Sequence, residues 1–158
     1  MKSLWQMFIH SFQLPKKQAV FTLNRIGMDT TVFYLFILIA IASIPTYIEQ
    51  LQQNETLSLF FFTIFFFMFH YLIVTIFIFI AISVLTGLTL LIANMAKRKL
   101  RYAILWKMAA SATTIPFLIY TISAFFYELH TLFVIAVLLF IISIVVKIIF
   151  IYPRRRHV

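Results

Sequence analysis

Residues 59–92 read LFFFTIFFFMFHYLIVTIFIFIAISVLTGLTLLI, and this stretch decides the fold. From Thr56 to Ala96 the chain carries no Asp, Glu, Lys, Arg or Pro, and His70 is its one side chain that titrates near neutral pH. A soluble domain of this size has too little polar surface to cover so apolar a run. A bilayer accepts it readily, since one spanning helix needs only about 20 apolar residues.

The rest of the composition agrees. The 158 residues are 64% hydrophobic and 11% charged, with a mean hydropathy of +1.07. Soluble domains sit at about 45–50% apolar and about 25% charged. Backbone in lipid must satisfy its own hydrogen bonds, which leaves helices or a closed barrel. Barrels are built from short alternating segments, and these runs are continuous. An all-α integral membrane protein is expected. Cysteine is absent, so disulfides and thiolate metal sites are excluded. The net charge of +9 comes from basic residues gathered in three patches beside apolar segments. That placement serves membrane orientation and anionic headgroups, and no nucleic-acid partner is expected.

Working outward from the central stretch, about 40 helical residues would be near 60 Å long, twice the hydrocarbon thickness. A hairpin would need a turn near residue 76, but IVTIFIFI offers no Gly, Pro, Asn or Asp. Charge decides the matter. Lys16, Lys17 and Arg25 precede the first apolar run, and Lys97, Arg98, Lys99, Arg101 and Lys107 follow the second. If both patches face the cytoplasm, one crossing lies between Glu55 and Lys97. A Phe-rich outer segment, residues 57–66, then leads into a long span.

On the N-terminal side, Trp5, Phe8, Ile9 and Phe12 have helical spacing, with Ser3, Gln6, His10 and Gln13 opposite. This predicts a short amphipathic interfacial helix, with packing under the bundle as its alternative. Asp29-Thr30-Thr31 is the expected start of the first span, capped by an oxygen-bearing side chain. Pro45 near its far end predicts a kink, with a hydroxyl such as that of Thr46 meeting the freed backbone. Asn54-Glu55-Thr56 matches a glycosylation acceptor, a weak three-residue pattern. On the C-terminal side, Ala109, Thr113, Pro116, Tyr120, Ser123 and Tyr127 fall on one face, the kind of seam that close helix approach in lipid requires. Tyr71, Thr75, Thr86 and Thr89 share an arc on the second span and are expected to meet it. The organisation is an interfacial segment 1–29, four transmembrane helices at about 30–48, 67–94, 108–127 and 131–152, and a basic tail 153–158. Both termini are expected in the cytoplasm.

Chemistry has few places to reside. The plain reading of His70 is a neutral imidazole bonded to a hydroxyl of a neighbouring span; ion or proton binding is the sharper one. The candidate intramembrane polar site comprises His70, Tyr71, Thr75, Thr113 and Tyr120. A metal site from His70, His130, Glu49, Glu55 and Glu128 lacks any ligand spacing, so no metal and no cofactor are expected. Paired carboxylates within a span and a nucleophile turn are both missing, which argues against an enzyme. Lys97, Arg98, Lys99, Arg101, Arg154, Arg155 and Arg156 are the residues expected to meet lipid headgroups, beyond their role in orientation.

Phe8, Ser11, Pro15-Lys16-Lys17, Arg25-Ile26-Gly27, Tyr34 and Ile44-Pro45, with Lys99-Leu100-Arg101-Tyr102, Leu105-Trp106-Lys107 and Thr113-Thr114-Ile115-Pro116, carry a family likeness. The chain resembles a membrane-protein family of low-GC Gram-positive bacteria, a domain of unknown function sometimes labelled maltodextrin utilization proteins. The resemblance implies a bacterial cytoplasmic membrane. Members of that family typically carry a sizeable extracytoplasmic region after the first span, where this chain has only residues 49–55. The maltodextrin label transfers no site.

The expected role is a non-enzymatic accessory or scaffold subunit of a membrane assembly, its partners being lipids and another membrane protein or a second copy. The alternative is a small carrier or sensor with a polar pocket around His70 and Tyr120.

Overall fold

The computed structural model describes residues 2–54, 58–98, 100–126 and 131–153. Its elements in chain order are α1 (Lys2–Phe12), α2 (Lys17–Arg25), α3 (Met28–Ala42), α4 (Ile44–Gln52) and α5 (Leu59–Phe65). A π-helical turn (Phe66–Tyr71), α6 (Leu72–Met95), α7 (Tyr102–Ala112), α8 (Thr114–Ser123) and α9 (Thr131–Ile151) follow. Four runs are long and apolar enough to cross a membrane: Met28–Gln52, Leu59–Met95, Tyr102–Ser123 and Leu132–Ile151.

Proline accounts for two of the joints. Pro45 cannot donate to the preceding turn, and α3 ends at Ser43, whose hydroxyl donates to the Ile39 carbonyl at 2.9 Å. The Ser43 hydroxyl shares the Ile39 carbonyl with the Ser43 N–H, and the Thr46 hydroxyl makes no hydrogen bond to a described residue. Pro116 acts likewise: α7 stops at Thr113, and the Thr113 and Thr114 hydroxyls bond back to the Ala110 and Ser111 carbonyls at 2.7 and 2.8 Å. The second run has no such joint. Its 37 residues stay helical from Leu59 to Met95, roughly 55 Å at 1.5 Å per residue, with the π turn as its one departure from α geometry. The expected outer segment and span are one rod.

The start of α3 also differs from expectation. Its N-cap is Gly27, with no side-chain cap, and the Thr31 hydroxyl donates to the Gly27 carbonyl at 3.1 Å. Asp29 lies in the first turn, where a carboxylate suits the positive end of the helix. In α1 the apolar residues divide. Met7 and Ser11 are buried against the bundle with Leu4 and Phe8 partly covered, while Trp5, Ile9 and Phe12 remain exposed.

The third run is the centre of the molecule. Its helix begins at Tyr102, and every residue from Leu105 to Thr114 is buried, whereas the sequence suggested one buried seam. Ala109, Ala110, Ser111 and Ala112 are small on all sides, so neighbours approach from every direction. The helix α6 packs on this helix and on α9, and its Thr86 and Thr89 are buried. Their hydroxyls bond back to their own helix at 2.7 and 3.0 Å. Cross-helix bonds come from elsewhere. Trp106 Nε1 donates to Ser83 Oγ at 3.2 Å, Tyr102 donates to the Ser83 carbonyl at 3.2 Å, and the Tyr34 and Thr114 hydroxyls lie 2.8 Å apart.

Packing is unequal along the bundle. In α9 no residue from Leu132 to Phe140 is buried, whereas Ile141, Ile144, Val145, Ile148 and Ile149 all are. Beyond Pro116, α8 buries none of its residues. The helices close on one another at the end that carries α2, Arg98 and Tyr152, and splay at the other. Lys107 belongs to the closed end. The residue is 9% exposed, and its ammonium donates to the carbonyls of Asn24 at 2.6 Å and Ile26 at 2.8 Å, which ties the C-terminus of α2 to α7. It is a structural cation in the core.

Candidate functional site

Above the closed half, the splayed helices enclose a cavity of about 310 Å³. Ile39, Ala42 and Ser43 of the first run line it with Thr46, as do His70, Val74 and Ile78 of the second. Pro116, Phe117 and Tyr120 of the third and Phe133, Val134 and Val137 of the fourth complete the wall. All four long runs therefore contribute.

The three departures from α-helical geometry meet here. Ala42 and Ser43 stand at the first proline break, His70 lies within the π turn, and Pro116 makes the second break. A π turn widens the ring by one residue, and single π turns recur at functional sites because they re-aim a side chain. His70 is held by stacking on Phe66, centroids 4.7 Å apart and planes 25° apart. Phe66 is buried and packs edge-on to Tyr47 at 5.0 Å. The Tyr47 hydroxyl lies 3.0 Å from that of Thr63, which ties α4 to α5 beside the cavity.

The polar groups on the wall, Ser43 apart, differ from most hydroxyls of the bundle, although the Ser111 and Tyr152 hydroxyls, away from the cavity, also lack partners among the described residues. Those of Thr31, Ser43, Thr75, Thr86, Thr89, Thr113, Thr114 and Thr121 all find carbonyls. His70, Thr46 and Tyr120 make no hydrogen bond to any described residue; Tyr120 has a ring contact with Phe133 at 6.2 Å. The expected bond between His70 and a neighbouring hydroxyl is replaced by stacking on Phe66, because the π turn lays the imidazole along its own helix. Thr46 was not among the candidates named from sequence, since no spacing marks a lone threonine after a proline as facing a cavity.

The five candidates separate into three places. His70 and Tyr120 share the cavity. Tyr71 and Thr75 lie on another side of the same helix, along a groove with Phe36 and Phe79. There Tyr71 donates to the Phe36 carbonyl at 3.0 Å, and Thr75 to the Tyr71 carbonyl at 2.7 Å. Thr113 is buried at the second break and lines neither. Among the headgroup candidates, Lys97 and Arg101 are exposed and Arg98 is half-buried. Lys99, Arg154, Arg155 and Arg156 lie outside the described residues, as do Glu55, Thr56, Tyr127, Glu128 and His130. Among the described residues no group of three or more His, Asp or Glu is placed to hold a metal ion.

The fold and cavity define a helical bundle with four helices long and apolar enough to cross a membrane. A family model described as "Protein of unknown function (DUF1189)" matches residues 47–152, more than half of the chain. The chain belongs to that family. The match takes in Lys99 to Pro116, the later half of the likeness seen in the sequence, and leaves Phe8 to Pro45 outside it. No curated protein and no solved structure matches the chain.

Proposed function

We propose that the protein is a four-span protein of the bacterial cytoplasmic membrane, with both termini in the cytoplasm. It holds a small amphipathic molecule in the cavity between its spans, as a carrier or sensor that catalyses no reaction. The observation that carries this reading is the convergence on one cavity of His70, Thr46 and Tyr120, which have no hydrogen-bond partner among the described residues. Polar groups set in hydrocarbon surroundings mark ligand paths. A ligand with hydroxyl, carbonyl or amide groups on an apolar body matches the wall, which is polar at those three side chains and Ser43 and otherwise lined by apolar and aromatic residues. The orientation is supported by the described cations Lys16, Lys17, Arg25, Lys97, Arg98 and Arg101, which fall at or beside the same ends of the long runs. The test is native mass spectrometry of protein purified in mild detergent. Wild type should carry a bound small molecule that His70→Ala with Tyr120→Phe releases. Wild type free of bound mass, with no melting shift across a panel of amphipathic solutes, would end the reading.

A second reading, the accessory or scaffold subunit, draws on the second run. Phe61, Phe65 and Phe69 stand four residues apart and are each more than half exposed, forming an aromatic ridge for another membrane protein or a second copy. Crosslinking in membranes should then return one stoichiometric partner, which the ligand reading does not require.

A further inference from the structure

Three helix ends meet at the closed end of the bundle. The ring of Phe21 on α2 lies 5.5 Å from that of Tyr152, just past the end of α9. The Tyr152 carbonyl accepts a hydrogen bond from the Arg98 guanidinium, which also lies 5.5 Å from the centroid of the Phe150 ring. Arg98 is set there by the turn that ends α6. Lys97 takes a left-handed φ of 52°, its N–H donates to the Asn94 carbonyl, and the Arg98 N–H reaches back to the Ala93 carbonyl. On α2, Lys17 and Arg25 stand four residues either side of Phe21, on the same helix face, and both are exposed.

The charge at this junction is unbalanced. Lys17, Arg25 and Arg98 have no carboxylate partner among the described residues, and Asp29, in the first turn of α3, is the acidic residue of the neighbouring helix ends. Arg98 Nε and the Tyr152 hydroxyl are closed off from solvent and also lack hydrogen-bond partners. Burial raises the Tyr152 phenol above its usual range, so it stays a donor at neutral pH. Directly beside the guanidinium, Phe150 is 57% exposed, so a cationic ledge adjoins an apolar wall.

We propose that this junction is a headgroup site for an anionic phospholipid, its phosphate held by Lys17, Arg25 and Arg98 and its acyl chains running along Phe150. The adjoining apolar wall favours a lipid over a free oxyanion, which would gain nothing from Phe150. In the sequence these cations belong to separate patches; Phe21 and Tyr152 bring two of the patches to one place.

The test uses the full chain in mild detergent, with native mass spectrometry counting retained phosphatidylglycerol against phosphatidylcholine. Wild type should retain phosphatidylglycerol selectively. Lys17→Gln with Arg25→Gln should weaken retention about 30-fold, near a factor of five per cation beside an anionic headgroup. Arg101→Gln, which removes an exposed cation at the start of α7 that the junction does not use, should leave it unchanged. Lys17→Arg with Arg25→Lys, which keeps the charge, should retain the lipid and shows that loss is not misfolding. Equal retention of both lipids, a loss in Arg101→Gln equal to that in the Lys17 and Arg25 pair, or displacement by millimolar inorganic phosphate would overturn the proposal.

Discussion

The ammonium nitrogen of Lys107 lies 2.6 Å from the carbonyl oxygen of Asn24, eighty-three residues earlier in the chain. With its second bond, to Ile26, it holds the C-terminal end of α2, where a cation also suits the negative end of the helix. Lys107→Met should leave both carbonyls without a donor. A hydrogen bond to a charged group is worth about 1.5–3 kcal/mol, so detergent-solubilised protein should lose about 2 kcal/mol of stability. Limited proteolysis should then cut between α2 and α3 before the bundle unfolds. An unchanged cleavage pattern would deny Lys107 its tethering role.

The Tyr34 and Thr114 hydroxyls, 2.8 Å apart and both in buried residues, join the first run to the break in the third. Side-chain bonds between membrane helices average about 0.6 kcal/mol in double-mutant cycles. Tyr34→Phe and Thr114→Val should therefore couple by about that amount in thermal or denaturant unfolding. Strict additivity would mean that the contact contributes nothing.

Lys97 adopts a left-handed conformation that costs an L-residue about 1–2 kcal/mol. Lys97→Gly removes that cost, though glycine gives some of it back in the freedom of the unfolded chain. A net gain of about 0.5–1 kcal/mol is expected in equilibrium unfolding, and a loss would show that the Lys97 side chain has a role of its own.

Phe77 is 67% exposed midway along the second run. If lipid surrounds that position, Phe77→Asp should oppose insertion by about 2.5–3.5 kcal/mol, and the protein should vanish from the membrane fraction. Gln53→Asp, in the exposed turn after α4, should have no such effect. Similar behaviour of the two variants would place water, not lipid, around α6.

Much of this architecture was legible in the residues. The four apolar runs and the break at Pro45 follow from local composition and spacing, whereas Pro116 was read only as part of a packing seam. The burial of α7 on all sides was also legible in principle, because Ala109 to Ala112 offer small side chains around the whole helix. The π turn was not, since nothing in FFMFHY distinguishes an i→i+5 bond from an i→i+4 bond. The tethering role of Lys107 was not legible, because its partners lie more than eighty residues away in sequence. The candidate site was half visible. Periodicity could mark His70 and Tyr120 as unusual in their runs, but which of Tyr71, Thr75 and Thr113 joined them depended on helix rotation set by tertiary packing.

The chain contains no cysteine, so introduced thiols report on one site without background. His70 and Tyr120 line a cavity that, as a sphere of 310 Å³, would be about 8 Å across. His70→Cys with Tyr120→Cys should be bridged within the chain by a short bifunctional thiol reagent, read as a single added mass after digestion. Phe69→Cys with Tyr120→Cys, which starts from the exposed neighbour of His70, should take two separate labels. Equal bridging in both pairs, or none in the first, would contradict the placement of His70 and Tyr120 on one cavity.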